Sequence, residues 1–166
     1  MAEFDPVAIL RVLVEHEVDL VVVGGIAARL RGAPLLTQDV DITPSDTRRN
    51  LDRLVTALQA LDARLRSVAE PDGVPFPLDP ALLETASMWT LTTRFGDLDL
   101  VMSPAGTGGY QDLARSADEL LVAEDPELRI KVASLADVIR SKEAAGREKD
   151  RAALPLLRRT LEESQD

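Results

Sequence analysis

Val21–Ile42, VVVGGIAARLRGAPLLTQDVDI, is the stretch whose reading decides the fold. It opens on Val21-Val22-Val23, a β-branched run suited to a buried strand. Gly24-Gly25 follows directly, and without a Cβ the backbone can turn sharply and approach a bound group. Ala27-Ala28-Arg29-Leu30 are good helix formers, so a short helix opens behind the glycines with free N–H groups suited to a phosphate. Thr37-Gln38-Asp39-Val40-Asp41-Ile42 follows, leading into a second strand that opens with the two aspartates. Side chains at i and i+2 of a strand share a face, so Asp39 and Asp41 point one way and Val40 and Ile42 the other. Two neighbouring carboxylates repel, which favours a cation between them, and hard oxygen ligands suit Mg²⁺. A phosphate cradle beside a carboxylate metal site implies nucleotide chemistry.

Upstream, Asp5–Val18 predicts a helix with Asp5 as N-cap and Pro6 at its first position. His16, the chain's one histidine, falls near its end and reads as a partner of the helix C-terminus rather than a ligand. Downstream, a strand over Val40–Thr43 leads into an amphipathic helix expected to run from Thr47 to Leu65. Val68–Pro80, with four prolines and a glycine, must be mostly loop, and its length suits the border of a substrate cleft. Met88–Arg94 and Leu98–Met102 predict a hairpin with its turn at Phe95-Gly96-Asp97. Asp99 interrupts an apolar run there, and a buried carboxylate is costly unless it is paired or metal-bound. Glu119–Ala123 and Leu128–Val132 read as short strands. Ser134 caps a helix reaching about Ala145, Gly146 interrupts it, and Pro155 is expected to kink or split a last helix ending near Glu163.

These elements predict an α+β, or mixed α/β, fold: one small mixed sheet flanked by helices. At 166 residues the chain reads as a single domain, 1–166, with a strand-bearing core over 1–128 and a basic helical part over 129–166. Its net charge of −10 argues against a general nucleic-acid-coating protein. Between Arg129 and Arg159, however, nine Lys/Arg stand against four Asp/Glu, and the chain's three lysines, Lys131, Lys142 and Lys149, all lie in that segment. No cysteine is present, which excludes disulfides and thiolate zinc sites. The acidic N-terminal stretch and the lack of a long apolar run predict a cytoplasmic protein with no membrane contact.

The order strand, Gly-Gly, Asp-x-Asp, then a lone Asp on a later strand resembles the nucleotidyltransferase superfold of polymerase-β-like and minimal nucleotidyltransferases. On this resemblance Gly24 and Gly25 bind nucleotide, and Asp39, Asp41 and Asp99 are the catalytic carboxylates holding two Mg²⁺ ions. Asp97 is the weaker alternative for the third position. The run from Ser134 to Lys142, followed by Ala145-Gly146-Arg147-Glu148-Lys149-Asp150, is similar to the C-terminal motif of the AbiEii/MenT group, toxins of bacterial toxin–antitoxin systems. That implies a catalytic and phosphate-binding Lys142, with Arg147, Lys149 and Asp150 at the nucleotide. The implied reaction is transfer of NMP from an NTP to a macromolecule, in particular the 3′ end of tRNA, with a cognate antitoxin as partner. Two alternatives stay open: an antibiotic-modifying transferase, for which the acidic bulk of the chain suits a cationic drug, and a catalytically silent binding or regulatory protein on the same fold.

Overall fold

The computed structural model describes residues 3–165. Among the described residues seven helices and seven strands follow in the order α1 (Pro6–Glu15), β1 (Leu20–Val23), α2 (Gly24–Leu30), β2 (Asp39–Pro44), α3 (Arg48–Ala60), β3 (Arg64–Leu65), α4 (Pro80–Leu83), β4 (Met88–Thr93), β5 (Gly96–Val101), α5 (Tyr110–Ser116), β6 (Asp118–Ala123), β7 (Leu128–Val132), α6 (Leu135–Ala145) and α7 (Glu148–Ser164). The strands form one mixed sheet in the order β3-β4-β5-β2-β1-β7-β6. The α+β architecture expected from the sequence is the one observed.

The centre of the sheet is built from the opening stretch. β1 pairs antiparallel with β2, setting Val23 opposite Asp41. β2 runs parallel to β5, setting Asp39 opposite Asp97 and Asp41 opposite Asp99. Alternation along these strands leaves Val40, Ile42, Leu98 and Leu100 with no exposed surface. They join Ile9, Leu10 and Leu13 of α1 and Leu51, Leu54 and Leu58 of α3 in one aliphatic core. Each such side chain stabilises the fold by about 1.5–3 kcal/mol on burial. Asn50, buried on α3, accepts from Asp19 N–H at 2.7 Å and donates to the carbonyls of Asp19 and Ser45, which ties α3 to both central strands.

Four local expectations are corrected. The third helix ends at Ala60, not Leu65; the chain reverses through Asp62 at φ +53° and forms β3, which pairs with β4. The hairpin turn falls at Arg94-Phe95, so Asp97 belongs to β5 rather than to a turn. Pro155 does not split α7. It lies on an exposed face, where water can take the carbonyl that a proline cannot bond. The proline-rich loop packs back on the sheet edge through Leu65 and Val74, and its residues are absent from the lining of the main cavity. The expected helix ends are observed: Asp5 accepts from Ala8 N–H as an N-cap, His16 closes α1 with Nδ1 2.8 Å from the Val12 carbonyl, and Ser134 caps α6.

Candidate active site

One face of the β2–β5 pair carries Asp39, Asp41, Asp97 and Asp99. Three of them converge: each of Asp39, Asp41 and Asp99 offers an oxygen, and these oxygens lie within 4.8 Å of one another. Asp41 Oδ1 is buried with no hydrogen-bond partner. Burial pushes the Asp41 carboxyl up to about 7, and the neighbouring charges of Asp39 and Asp99 add to the effect. Burial likewise raises Asp99, against the opposing pull of Arg66. A bound dication fits this set: hard oxygen donors, crowded like charges and an orphaned buried oxygen all become satisfied by it.

Gly24 is shaped by the same carboxylate. It follows the last residue of β1 directly and adopts φ +67°. A Cβ there would lie 2.1 Å from Asp41 Oδ2. The glycine is therefore required by the close approach of Asp41 as well as by backbone conformation. Gly25 has no such constraint; a Cβ there would lie 3.4 Å from Thr37 Cγ2, an ordinary contact.

The carboxylates open onto a cavity of about 530 Å³. Gly24, Gly25, Lys142, Arg147, Lys149 and Asp150 line it too, whereas Asp97, the alternative third carboxylate, does not. Lys142 and Lys149 arrive from different helices, because Gly146 ends α6 in a left-handed conformation at φ +63°. Lys131 lies elsewhere, beside the Tyr110 ring.

Asp150, expected at the nucleotide, lines the cavity with a side chain that has no exposed surface. It accepts from Arg147 Nε at 2.7 Å, from the Arg147 backbone N–H at 3.3 Å and from Lys142 Nζ at 3.4 Å. Burial works to raise its carboxyl, and the bonds and charges of Arg147 and Lys142 outweigh it and hold the group below the usual range. It anchors the two cations and closes the first turn of α7. Lys149 is exposed and tied to no partner among the described residues.

Sequence reasoning missed three features. Leu35, Leu36, Thr37 and Gln38, between α2 and β2, form one wall of the cavity; apolar residues in a loop ahead of the Asp-x-Asp pair were the available signal. Asp137 lines the opposite side, ion-paired with Arg140 at 3.2 Å, with Oδ2 buried and unbonded. Arg66 donates to Asp99 Oδ1 at 2.7 Å and lies 3.2 Å from Asp97 Oδ2. Nothing in the sequence around Arg66 announces it.

No family model matches the chain, and no curated protein is similar to it in sequence. Solved structures are similar in fold. The antibiotic-resistance factor ANT(2'')-Ia superposes with a TM-score of 0.56 at 17% identity, over 92% of this chain and 80% of its own. The lincosamide antibiotic adenylyltransferase LnuA, solved with lincomycin bound, gives 0.59 at 15% identity over 94% and 98%. The fold is thus that of the nucleotidyltransferases, as the Gly-Gly and Asp-x-Asp pattern implied. Among the described residues no helix is long and apolar enough to cross a membrane.

Proposed function

We infer that this protein is a Mg²⁺-dependent nucleotidyltransferase that moves NMP from an NTP to a hydroxyl of a small-molecule acceptor. The observation that carries the reading is the convergence of Asp39, Asp41 and Asp99, with an orphaned Asp41 oxygen, on a cavity whose other wall carries Lys142, Arg147 and Lys149. Carboxylates alone would repel a triphosphate; carboxylates facing cations divide the work between metal and phosphate.

In the reaction, the acceptor hydroxyl gives its proton to a carboxylate of the cluster, its oxygen bonds to the α-phosphorus, the bond from that phosphorus to the α–β bridging oxygen breaks, and pyrophosphate leaves. Mg²⁺ held by Asp39, Asp41 and Asp99, as two ions in the arrangement the resemblance implies, would supply charge neutralisation and a lowered pKa at the attacking hydroxyl. Lys142, Arg147 and Lys149 neutralise phosphate charge, with Asp150 fixing the first two from beneath. Gly24 and Gly25 leave the backbone open to the nucleotide.

The acceptor class is supported by the cavity, whose volume is that of a small-molecule site. Its lip carries Leu36 and Met88, both exposed apolar residues. The antibiotic enzymes sharing the fold support it as well. A second reading, a toxin that modifies the 3′ end of tRNA and is restrained by an antitoxin, is favoured by Arg147, Lys149, Arg151, Arg158 and Arg159, exposed along α7 and its N-cap.

Incubation with α-labelled NTPs and Mg²⁺ tests both readings, offering in turn lincosamides and aminoglycosides, total tRNA, and no acceptor. Label on a drug is the expected result. Label on tRNA instead establishes the second reading. No label anywhere, with Asp41→Ala binding NTP and Mg²⁺ as well as the parent, removes the assignment.

A further inference from the structure

Arg66 follows β3 directly and is held along β4: its N–H donates to the Thr90 carbonyl at 3.0 Å and its guanidinium to the Leu91 carbonyl at 2.8 Å. From that seat it spans Asp97 and Asp99, at 3.2 and 2.7 Å. Asp99 lines the cavity and Arg66 does not, so the guanidinium reaches the carboxylate from outside the space that substrates occupy. Its charge is permanent.

We propose that Arg66 sets when the carboxylate site takes its divalent cation: by neutralising Asp99 it keeps the affinity of the nucleotide-free protein for a free dication low, so the cation is taken up together with the triphosphate. The inference rests on Asp39, Asp41 and Asp99 being the metal ligands. Arg66 could act on such a site in two opposite ways. It could align Asp99 and so favour metal, or repel the dication and so disfavour it. Alignment is limited to the side-chain rotamer, because the Asp99 backbone is fixed in the sheet by pairing with Asp41 on one side and Thr90 on the other. Repulsion is the larger, because a single and a double positive charge a few ångström apart alter affinity by about tenfold even at the dielectric of water. An incoming triphosphate reverses the balance. It adds several negative charges of its own, and Lys142, Arg147 and Lys149 line the cavity that receives it. Arg66 is therefore a positioning residue: it acts through Asp99 and touches no substrate.

The test is Mn²⁺ titration of the whole protein, with free Mn²⁺ counted by its electron paramagnetic resonance signal, with and without a non-hydrolysable NTP analogue. Without nucleotide, Arg66→Ala should bind Mn²⁺ about tenfold more tightly than the parent. Arg66→Met, which keeps the aliphatic stem, makes the same measurement if the alanine variant folds poorly. Arg66→Lys, which keeps the charge, should stay close to the parent. With the analogue present, the parent should bind Mn²⁺ strongly and the gap to Arg66→Ala should narrow. A merely structural role would lower thermal stability without tightening metal binding. Alanine and methionine variants that bind no more tightly than the parent overturn the proposal, and so does a lysine variant that tightens as much as alanine. Parent and variants that all ignore Mn²⁺, with nucleotide or without, bring down the metal-site reading itself.

Discussion

Replacing Gly24 by alanine tests the geometry at the centre of the site. The residue sits at φ +67°, a conformation that costs alanine about 1–2 kcal/mol relative to glycine. The new Cβ would also lie 2.1 Å from Asp41 Oδ2 and 2.9 Å from Asp41 Cγ, distances that real atoms do not share. The carboxylate must rotate away, and an off-rotamer side chain adds about 0.5–1.5 kcal/mol. Together these give a loss of about 1.5–3.5 kcal/mol, or a fall in Tm of about 3–14 °C for a domain of this size. Moving a metal-binding carboxylate by about 1 Å should lower nucleotidyl transfer by about 100-fold. Gly25→Ala is the matched control. Its Cβ meets only Thr37 Cγ2 at 3.4 Å, and alanine in a helix gains about 0.5–1 kcal/mol over glycine. Thermal melts and Mn²⁺ titrations of the two variants should therefore diverge, Gly24→Ala losing both stability and metal, Gly25→Ala keeping both. Two adjacent glycines that respond alike would refute the argument that Asp41 dictates Gly24.

Other outcomes follow from the same contacts. Asp41 is pushed up from 3.8 to about 7, so the folded state holds its proton more tightly than the unfolded chain does. Its destabilising effect is absent below about pH 4, grows between about pH 4 and 7, and is complete above that. Melts in EDTA should show stability falling through this window, and Asp41→Asn should flatten the fall, gaining up to about 4 kcal/mol at pH 8 while losing transferase activity. Asp150→Ala removes the buried partner of Lys142 and Arg147 and should cost about 1.5–3 kcal/mol by urea unfolding, with weaker NTP binding by calorimetry. Lys142→Met should weaken NTP binding about tenfold with a smaller fall in Tm than Asp150→Ala, because Arg147 still partners the buried Asp150 carboxylate. A Tm that falls as far as that of Asp150→Ala would make Lys142 structural instead.

The central strands and the carboxylates were legible because alternation encodes a sheet face directly: Asp-Val-Asp-Ile can place its aspartates and its apolar residues only on opposite sides. The lysines drew notice by their confinement to one segment, but their approach from two helices depends on Gly146 adopting φ +63°, and sequence marks a glycine without marking the direction the chain takes after it. Asp150 was visible as an acidic residue at a helix start. Its burial was not, because that depends on α6 and α7 folding against each other. Arg66 was hidden for a related reason. An amphipathic run that continued to Leu65 concealed the end of α3 at Ala60, and with it the two-residue strand that brings Arg66 beside β5. Local pattern identifies what a strand or helix offers; which partner receives it is decided by chain reversals whose signals are one or two residues long.

The same strands also explain how the fold tolerates four carboxylates on one patch. Asp39, Asp41, Asp97 and Asp99 alternate with Val40, Ile42, Leu98 and Leu100, which have no exposed surface. A slip of one residue in β2 or β5 would bury aspartates in the aliphatic core and turn its partners outward, losing about 1.5–3 kcal/mol for each apolar side chain as well as the cost of the buried charge. Core and site thus hold each other in register. The repulsion among the carboxylates cannot be relieved by sliding the strands; it is relieved by a proton on Asp41, by the charge of Lys142, by Arg66 beside Asp99, or by a cation among the three. Each of these carries positive charge to the same place, so the proton, the guanidinium and the metal compete there. That competition is why the pH dependence of the metal-free protein and the metal affinity of the Arg66 variants should change together when Asp41 is replaced.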